Sequence, residues 1–264
     1  KVGGIFANNQ YPADFLLENL KIQNNIIETA WENKTRRLLF LGSSCIYPKD
    51  SQQPIKEEQL LTGPLEKTNE YYALAKISGI KLCQALRSQY GFDAISLMPT
   101  NLYGKGDNYH NQNSHVLPAL LNRFHLHSLE KKRTIECWGS GNPRREFMHV
   151  DDLAEACIFA LEKWSPNNRD APLDVYGKPL TWLNVGTGND ITIKRLSEII
   201  SNLTSFKGEI IWNKSKPDGT FQKLLDVSKL KILGWESKIS LLDGLKMTYE
   251  DYKNELLTNN LRKI

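Results

Sequence analysis

Continuous apolar runs and stretches with helical spacing alternate along the first hundred residues. Leu38–Leu41 is wholly apolar and Ala94–Met98 almost so, and each run ends at a glycine or a proline. Such runs predict strands that are buried on both faces of a sheet. Apolar residues at helical spacing predict a helix from about Glu70 to Tyr90, which Gly91 ends. An earlier helix is predicted from Pro12, a residue suited to a first helical turn, to about residue 31.

The order helix, strand, helix, strand is typical of a parallel sheet covered by helices. A polar loop from Gly104 to about Asn113 then leads into a predicted helix from His115 to about His127. The later pattern predicts a helix at 151–162, a polar insert at 164–179, a strand at 182–185, and helices that Thr192 and Ser240 cap. The sequence therefore predicts an α/β fold. We expect Val2-Gly3-Gly4-Ile5 to be a loop that follows a strand.

Composition narrows the class of protein without naming a function. The chain has 264 residues, 40% hydrophobic and 24% charged, which suits one large globular domain or two interleaved ones. No apolar run is long enough to span a bilayer, so we expect no membrane partner. The net charge of +4 lacks a basic stripe interleaved with aromatic residues, so we expect no nucleic-acid partner either. An anionic small molecule fits this balance better.

The four cysteines are scattered and form no C-x-x-C pair. This spacing predicts neither a disulfide framework nor a metal site, and it favours a reducing, cytoplasmic location. We expect no secretory leader, because no basic segment followed by an apolar one opens the chain.

Candidate chemistry begins with Tyr72 and Lys76, which lie four residues apart on one face of the predicted helix. A free tyrosine has a pKa of about 10, too high to titrate near neutrality. We expect the lysine to lower that pKa by up to ~2 units through its charge, an upper estimate for a pair about 5 Å apart. Such a pair can give a proton to an alkoxide formed by hydride addition to a ketone. Taken alone, a Y-x-x-x-K spacing is common by chance.

More polar side chains follow the two predicted strands. Ser43, Ser44 and Cys45 come after the first strand, and Thr100 and Asn101 follow the second. Ligands of open α/β sheets bind at the carboxyl ends of strands, so we expect these residues at the site. If the backbone stays extended, Ser43 and Cys45 face one way and Ser44 the other.

Ser43, Tyr72 and Lys76, in this order and setting, resemble the short-chain dehydrogenase/reductase family. Residues 145–152, with the pattern R-x-F-x-H-V-x-D, resemble a stretch of its extended members, which act on nucleotide sugars. A narrower likeness, to the GDP-L-fucose synthases within that family, runs nearly end to end. It rests on the segments 1–9, 42–48, 98–104, 113–115, 138–141 and 215–220.

The resemblance implies a Rossmann-type doubly wound parallel sheet, N-terminally incomplete, with a smaller C-terminal substrate domain. We expect residues 1–106 to form a partial NADP-binding Rossmann domain, to which 147–203 partly return. Residues 107–264 would mainly bind the GDP-sugar. The implied reaction is 3,5-epimerisation of GDP-4-keto-6-deoxy-D-mannose followed by reduction at C4 with NADPH to GDP-L-fucose. The family also implies a homodimer, formed through the two long helices.

The same resemblance implies a role for each catalytic candidate. Cys45 would be the base and His115 the acid in epimerisation. A free thiol with a pKa near 8.5 is a few per cent thiolate at neutral pH, and histidine titrates close to 7. Ser43 and Tyr72 would hydrogen-bond the C4 oxygen, and Tyr72 would later protonate it. Lys76 would bind the nicotinamide ribose.

The binding residues are likewise implied by family position. The cofactor set includes the two strand ends, the Tyr-Lys pair and the histidine, namely Leu41, Gly42, Ser43, Ser44, Tyr72, Lys76, Pro99, Thr100, Asn101, Leu102 and His115. The GDP-sugar set consists of Arg123, Trp138, Arg145, Lys216 and Asp218. A guanidinium suits a diphosphate, and Trp138 offers an apolar face to a ring.

The chain departs from the family at one important place. The G-x-x-G-x-x-G fingerprint is absent, so we expect roughly 60 or more residues to be missing upstream. Two alternatives therefore stay open: another nucleotide-sugar epimerase or reductase of the same fold, and a non-catalytic nucleotide-sugar-binding fragment. Sugar dehydratases carry carboxylates where this chain has Ser44 and Cys45, which disfavours that activity.

Overall fold

The computed structural model describes residues 1–216 and 218–263. Pro217, within the family-like segment 215–220, and Ile264, the last residue of the expected second domain, lie outside the described residues. The helices are α1 Ile5–Gln10, α2 Pro12–Glu32, α3 Glu70–Tyr90, α4 Val116–Leu129, α5 Val150–Lys163, α6 Ile193–Leu203, α7 Ser228–Ile232 and α8 Leu241–Leu257. The strands are β1 Leu38–Leu41, β2 Ala94–Pro99, β3 Asn101–Tyr103, β4 Thr134–Trp138, β5 Arg144–His149, β6 Trp182–Val185, β7 Asp190–Thr192, β8 Glu209–Asn213 and β9 Gln222–Lys223.

The central sheet is parallel, as the element order predicted. Its strand order is β1-β2-β6, with β2 paired to both neighbours. Strand β2 is buried throughout, and its alternate side chains face two different cores. Ala94 and Met98 pack with the residues of α3, whereas Ile95 and Leu97 pack with α5 and β6. Helices therefore cover both faces of the sheet, which confirms the doubly wound α/β prediction.

Strand β1 differs from its prediction as a strand buried on both faces. Within the described residues it pairs only with β2 and forms the edge of the sheet. Phe40 is buried, but Leu41 at the carboxyl end is exposed. Leu74 of α3, which lies at helical spacing from the buried Ile77, is exposed as well. Apolar side chains at an edge lack the neighbours that periodicity alone assumes.

A second layer of structure was largely missed by the sequence patterns. Strands β3, β5 and β7 form a sheet in that order, with β9 also paired to β5, and β4 pairs with β8. These strands are short and carry many polar residues, so no apolar run marks them. Helix α1 was also missed: its six residues lack a side-chain cap, and the sequence predicted only the loop at 2–5 there. Helices α4, α6 and α8 enclose the core of this part of the chain.

The loop before α4 is held by the C-terminal segment. The backbone N–H of Gly106 donates to Oε1 of Glu255 (3.1 Å), and that of Tyr109 donates to the carbonyl of Arg262 (2.9 Å). Burial raises the pKa of Asp107 to about 6, from a reference of 3.8. Its protonated form is therefore favoured in the folded protein. The loop carries a group whose charge opposes folding at neutral pH.

Asp107→Asn should stabilise the protein above pH 6 and leave it unchanged near pH 4. A folded-state pKa above the unfolded value contributes stability that is complete below pH 3.8 and is lost as the pH rises through about 6. The amide mimics the protonated carboxyl, so the gain should be on the order of 2 kcal/mol at pH 8. Urea unfolding at both pH values measures it. Asp170→Asn, at an exposed site, is the control, and equal gains at both pH values would contradict the prediction.

Candidate active site

The chain turns sharply where β1 ends. Gly42 lies against Met98 so closely that a Cβ atom would clash with the thioether, which explains the glycine. Residues Ser44–Ile46 then form a turn of 3-10 helix, and the Oγ of Ser43 accepts the backbone N–H of Cys45 (3.3 Å). The extended backbone assumed from the sequence is therefore wrong here. Ser44 is buried, while Ser43 and Cys45 are partly exposed.

Helix α3 presents Tyr72 and Lys76 beside this turn. The ammonium of Lys76 donates to the carbonyl of Leu41 (2.9 Å) and lies 5.9 Å from the centroid of the Tyr72 ring. Burial lowers the pKa of Lys76. The pKa of Tyr72 is raised above its ordinary value, first by burial and then by the negative charge that Cys45 carries when ionised, while a hydrogen bond from Ser43 partly opposes the change.

The sequence-based expectation of a lowered Tyr72 pKa is therefore wrong for this structure. Desolvation of the phenolate raises the pKa, and the ammonium of Lys76 is directed at a backbone carbonyl instead of the phenol. The consequence is chemical: Tyr72 stays a neutral phenol, which is a proton donor, at neutral pH.

Two side chains that the sequence did not single out contact the thiol of Cys45. Nδ2 of Asn69 donates to its Sγ (3.3 Å), and Nζ of Lys223 lies 3.8 Å from the same sulfur. The guanidinium of Arg145 also couples to the charge of Cys45. The two contacts join residues 24 and 178 positions apart, so no local pattern could have revealed them. Ser43, Tyr72 and Cys45 thus share one site with Asn69 and two cations.

His115 precedes α4 as its N-cap residue. Two residues before it, the carbonyl of Asn113 accepts the N–H of Gly4 (2.8 Å), which fixes the segment against the start of the chain. His115 is exposed at its surface, yet the surrounding protein desolvates the imidazole and lowers its pKa. Its side chain makes no hydrogen bond with any other residue that the structure describes.

The residues expected to bind the GDP-sugar lie around the end of β4. Trp138 is 62% exposed, and Nζ of Lys216 lies 5.5 Å from the centroid of its ring. Asp218 accepts both the backbone N–H (2.8 Å) and the hydroxyl (2.7 Å) of Ser140. Asp218 therefore shapes the loop after β4, and an open aromatic face with a cation above it remains available.

The arginines of this region differ in what holds them. Arg144 forms an ion pair with Asp190 (2.5 Å). Arg145 has no carboxylate partner within the described ranges and donates to the carbonyls of Arg144 (2.8 Å) and Thr220 (2.6 Å). Arg123 donates to the backbone carbonyl of Glu136 in β4. Arg145 is thus the arginine near Cys45 that forms no direct ion pair within the described residues, although the negative charges of Asp218 and Glu66 act on its guanidinium.

The end of β2 is joined to the second sheet by Glu146, a buried residue that the sequence did not single out. The backbone carbonyl of Glu146 accepts Nδ2 of Asn101 (2.8 Å) and Oγ1 of Thr100 (3.3 Å). Its side chain accepts backbone N–H groups of Thr187, Gly188 and Leu225. Pro99 ends β2, and Leu102 follows in β3, partly buried. Glu146 therefore fixes the loop 186–188 and the strand that carries Lys223.

Comparison with known proteins places the chain in a family. The model of the NAD dependent epimerase/dehydratase family matches residues 1–171. The chain belongs to this family. A GDP-L-fucose synthase 1 from Arabidopsis thaliana is 54% identical over 252 residues, which cover 96% of this chain and 74% of that protein.

Solved structures agree with this family membership. A GDP-6-OMe-4-keto-L-xylo-heptose reductase from C. jejuni superposes with a TM-score of 0.88 at 38% identity, over 94% of this chain and 79% of that one. A GDP-mannoheptose C4 reductase from Campylobacter jejuni, solved with NADP bound, gives 0.81 at 37% identity, over 94% and 79%. The Rossmann-type architecture that the resemblance implied is thereby confirmed.

The described residues include neither a helix that could cross a membrane nor a cluster of ligands for a metal ion. None of the helices there combines the length and the hydropathy that crossing a membrane requires. No group of three or more His, Cys, Asp or Glu residues within 1–216 and 218–263 is arranged to hold a metal ion.

Proposed function

We propose that the chain carries out the GDP-L-fucose synthase reaction. GDP-4-keto-6-deoxy-D-mannose is inverted at C3 and C5 and is then reduced at C4 with NADPH to GDP-L-fucose. The observation that carries this proposal is the thiol of Cys45 placed beside Ser43 and Tyr72, with Asn69 and Lys223 in contact with the sulfur. A reductase alone needs no thiol there. The related synthase from Arabidopsis thaliana supports the choice of substrate.

The C4 ketone makes the hydrogens on C3 and C5 acidic, because the carbanion formed at either carbon is delocalised onto the C4 oxygen. Ser43 and Tyr72 donate hydrogen bonds to that oxygen as it gains negative charge. Donors aimed at developing charge stabilise the enolate more than the ketone. A neutral Tyr72, as its raised pKa requires, is the form that can donate.

Inversion needs a base on one face of the sugar and an acid on the other. The Cys45 thiolate takes the proton from C3, and the electron pair of the broken C–H bond forms the enolate. His115 then returns a proton to the opposite face of C3 from its protonated form, which its lowered pKa makes the minor form at neutral pH. Each such proton transfer contributes about 10² to 10⁴ in rate. The step leaves a Cys45 thiol and a neutral His115, so both must exchange protons with water before the same inversion occurs at C5.

NADPH supplies the hydride to C4 when it is bound. Tyr72 gives its phenolic proton to the C4 oxygen, so the ketone becomes an alcohol and the phenolate is reprotonated from solvent. The residues fit this cofactor at its nicotinamide end. An ammonium has three donors, and Lys76 uses one of them on Leu41 within the described residues, which leaves donors for ribose hydroxyls. The ends of β1 and β2 lie beside it.

The nucleotide end of the substrate is assigned to the second layer of the fold. Trp138 stacks on the guanine or ribose through its exposed face, and Lys216 adds a cation above it. Arg145 binds the diphosphate, supported by its lack of a carboxylate partner among the described residues. Arg123 and Asp218 act by holding β4 and the loop after it.

The chain divides into a cofactor part and a substrate part in this proposal, and we assign it to the cytoplasm. Residues 1–106, with part of 147–203, bind NADP, and residues 107–264 mainly bind the GDP-sugar. A cytoplasmic location is supported by the four cysteines, all of which are free thiols.

We expect a homodimer formed through α2 and α3. These helices pack against each other yet leave apolar side chains exposed, including Ile22 and Ile26 on α2 and Tyr71 on α3. Ile22→Glu together with Ile26→Glu should convert the dimer to a monomer, because two buried carboxylates would face a second copy. Light scattering measures the mass. Leu129→Glu, at an exposed apolar site on another helix, is the control; a monomeric wild type would contradict the expectation.

The proposed function is tested with GDP-4-keto-6-deoxy-D-mannose and NADPH in deuterated water. The expected result is oxidation of NADPH together with a product that carries deuterium at C3 and C5 and has the L-fuco configuration by NMR. Oxidation without deuterium would indicate a C4 reductase, the activity named for the Campylobacter jejuni relatives. Neither reaction, with nucleotide sugar still bound, would indicate a binding protein.

A further inference from the structure

We propose that Asn69 and Lys223, the donor pair, orient the sulfur of Cys45 and stabilise the negative charge that it carries as a base, and thereby allow one base to serve two carbons. The inference rests on the proposed function, in which Cys45 acts at C3 and again at C5. It assigns a role to two residues that lie outside the Ser-Tyr-Lys set.

Asn69 contacts the sulfur through a group that can only donate. It ends the turn Lys67–Asn69 that precedes α3, and its Nδ2 lies 3.3 Å from the Sγ of Cys45. An amide N–H in this position stabilises a sulfur acceptor, and a thiolate is a stronger acceptor than a thiol. The Oδ1 of Asn69 is buried and has no hydrogen-bond partner in the described part of the chain. A hydroxyl of the bound sugar would satisfy that acceptor.

Lys223 approaches the sulfur from the other layer of the fold. Its Nζ lies 3.8 Å from the Sγ of Cys45, close enough for a charge-assisted contact with a thiolate. The residues that follow it are fixed by two side chains: Gln53 accepts the N–H of Leu224 (2.8 Å), and Glu146 accepts that of Leu225 (3.0 Å). The strand that carries Lys223 is therefore held in place by these hydrogen bonds, which positions the lysine beside the sulfur.

Other charged and titratable groups face the sulfur without replacing the pair. The charge of Cys45 acts on Tyr72 and on Arg145, but the guanidinium of Arg145 also donates hydrogen bonds to backbone carbonyls. Lys49 and Glu66 line the small cavity next to Cys45 and pair with each other at 3.5 Å. Within the described residues, the donor pair supplies the side-chain hydrogen bonds that reach the sulfur.

The chemical need for the donor pair comes from the proton balance. After inversion at C3, the proton taken from carbon resides on the sulfur, and Cys45 must release it to water before it can act at C5. Donors that favour the thiolate make this release easier. Without them, the substrate should leave the site more often after one exchange than after two.

Alkylation of Cys45 by iodoacetamide tests the pair without any turnover. The protein should carry Cys157→Ser, because Cys83 and Cys137 are buried and Cys157 is the remaining accessible thiol. Asn69→Ala and Lys223→Met should each raise the pH midpoint of alkylation by about one unit, which is about tenfold less thiolate at pH 7. Lys223→Arg should restore most of the effect. Lys207→Met, which removes an exposed lysine, should leave the midpoint unchanged.

Deuterium exchange then tests the two-carbon role. In both variants the ratio of singly to doubly deuterated sugar should rise severalfold over wild type at early times. If the alkylation midpoints of the variants are unchanged and their activity equals that of the wild type, the role of the donor pair is refuted while the proposed function stands. Shifted midpoints in a protein that exchanges nothing would overturn the two-carbon role together with the function. Circular dichroism verifies folding, and Asn69→Ser and Lys223→Gln replace any variant that fails to fold.

Discussion

Cys45→Ser should abolish solvent deuterium uptake at both C3 and C5. A thiol is partly ionised to thiolate near neutral pH whereas a serine hydroxyl is not, so removal of the sulfur should slow exchange by about 10² to 10⁴. Serine keeps the size of the side chain and its place in the 3-10 turn after β1. The loss should therefore reflect chemistry and not a disturbed fold. NMR of the sugar recovered after incubation in deuterated water measures it.

The loss should be the same at the two carbons, because one base serves both. Exchange that survives at C5 alone would assign that carbon to another base and contradict the proposal. Cys157→Ser is the matched control: it makes the same substitution at a partly exposed thiol on α5. NADPH oxidation provides a second comparison. Because reduction follows inversion it should fall as well, and any oxidation that remains should give a sugar reduced at C4 without deuterium, since the phenol of Tyr72 and the ammonium of Lys76 remain in place.

The long elements of the first half were predictable because each carries a strong local signal. Helix α3 has helical spacing and ends at Gly91, whose φ of +71° is the left-handed conformation that glycine adopts most readily. Strands β2 and β6 are short, apolar and bounded by turn residues. The parallel order followed from their alternation with helices. Strands β4, β5, β7, β8 and β9 were not predicted, because their polar residues pair with each other across long sequence distances.

Only those residues of the candidate site were predictable that lie at strand ends or match positions of the family. Ser43, Cys45 and Tyr72 lie together because their elements meet at the carboxyl end of β1. The contacts of Cys45 with Asn69 and Lys223 were not visible, because tertiary structure alone brings residue 223 beside residue 45. The predicted direction of the shift in the Tyr72 pKa was wrong for a related reason. The sequence shows the charge of Lys76 but not the burial of the phenol, which raises its pKa.

The burial of Tyr72 determines its protonation state and therefore the pH dependence of the reduction step. Because the pKa of Tyr72 is raised, the phenol should remain protonated through the neutral range. The rate of the reduction step should then hold steady as the pH rises from 7 to 9. A tyrosine with a lowered pKa would lose activity as an acid over the same interval. Single-turnover oxidation of NADPH across this range separates the two cases.

Tyr72→Phe should suppress NADPH oxidation much more than deuterium uptake. Reduction requires a proton at the C4 oxygen, and its loss should cost about 10² to 10⁴ in rate. Exchange should fall by only about tenfold, because Ser43 still donates to the enolate oxygen. Tyr71→Phe, an exposed neighbour on the same helix, should change neither rate. Equal losses in the two rates would mean that the phenol acts equally in epimerisation and reduction, whereas a split between them makes Tyr72 the acid of the second stage and Cys45 the base of the first.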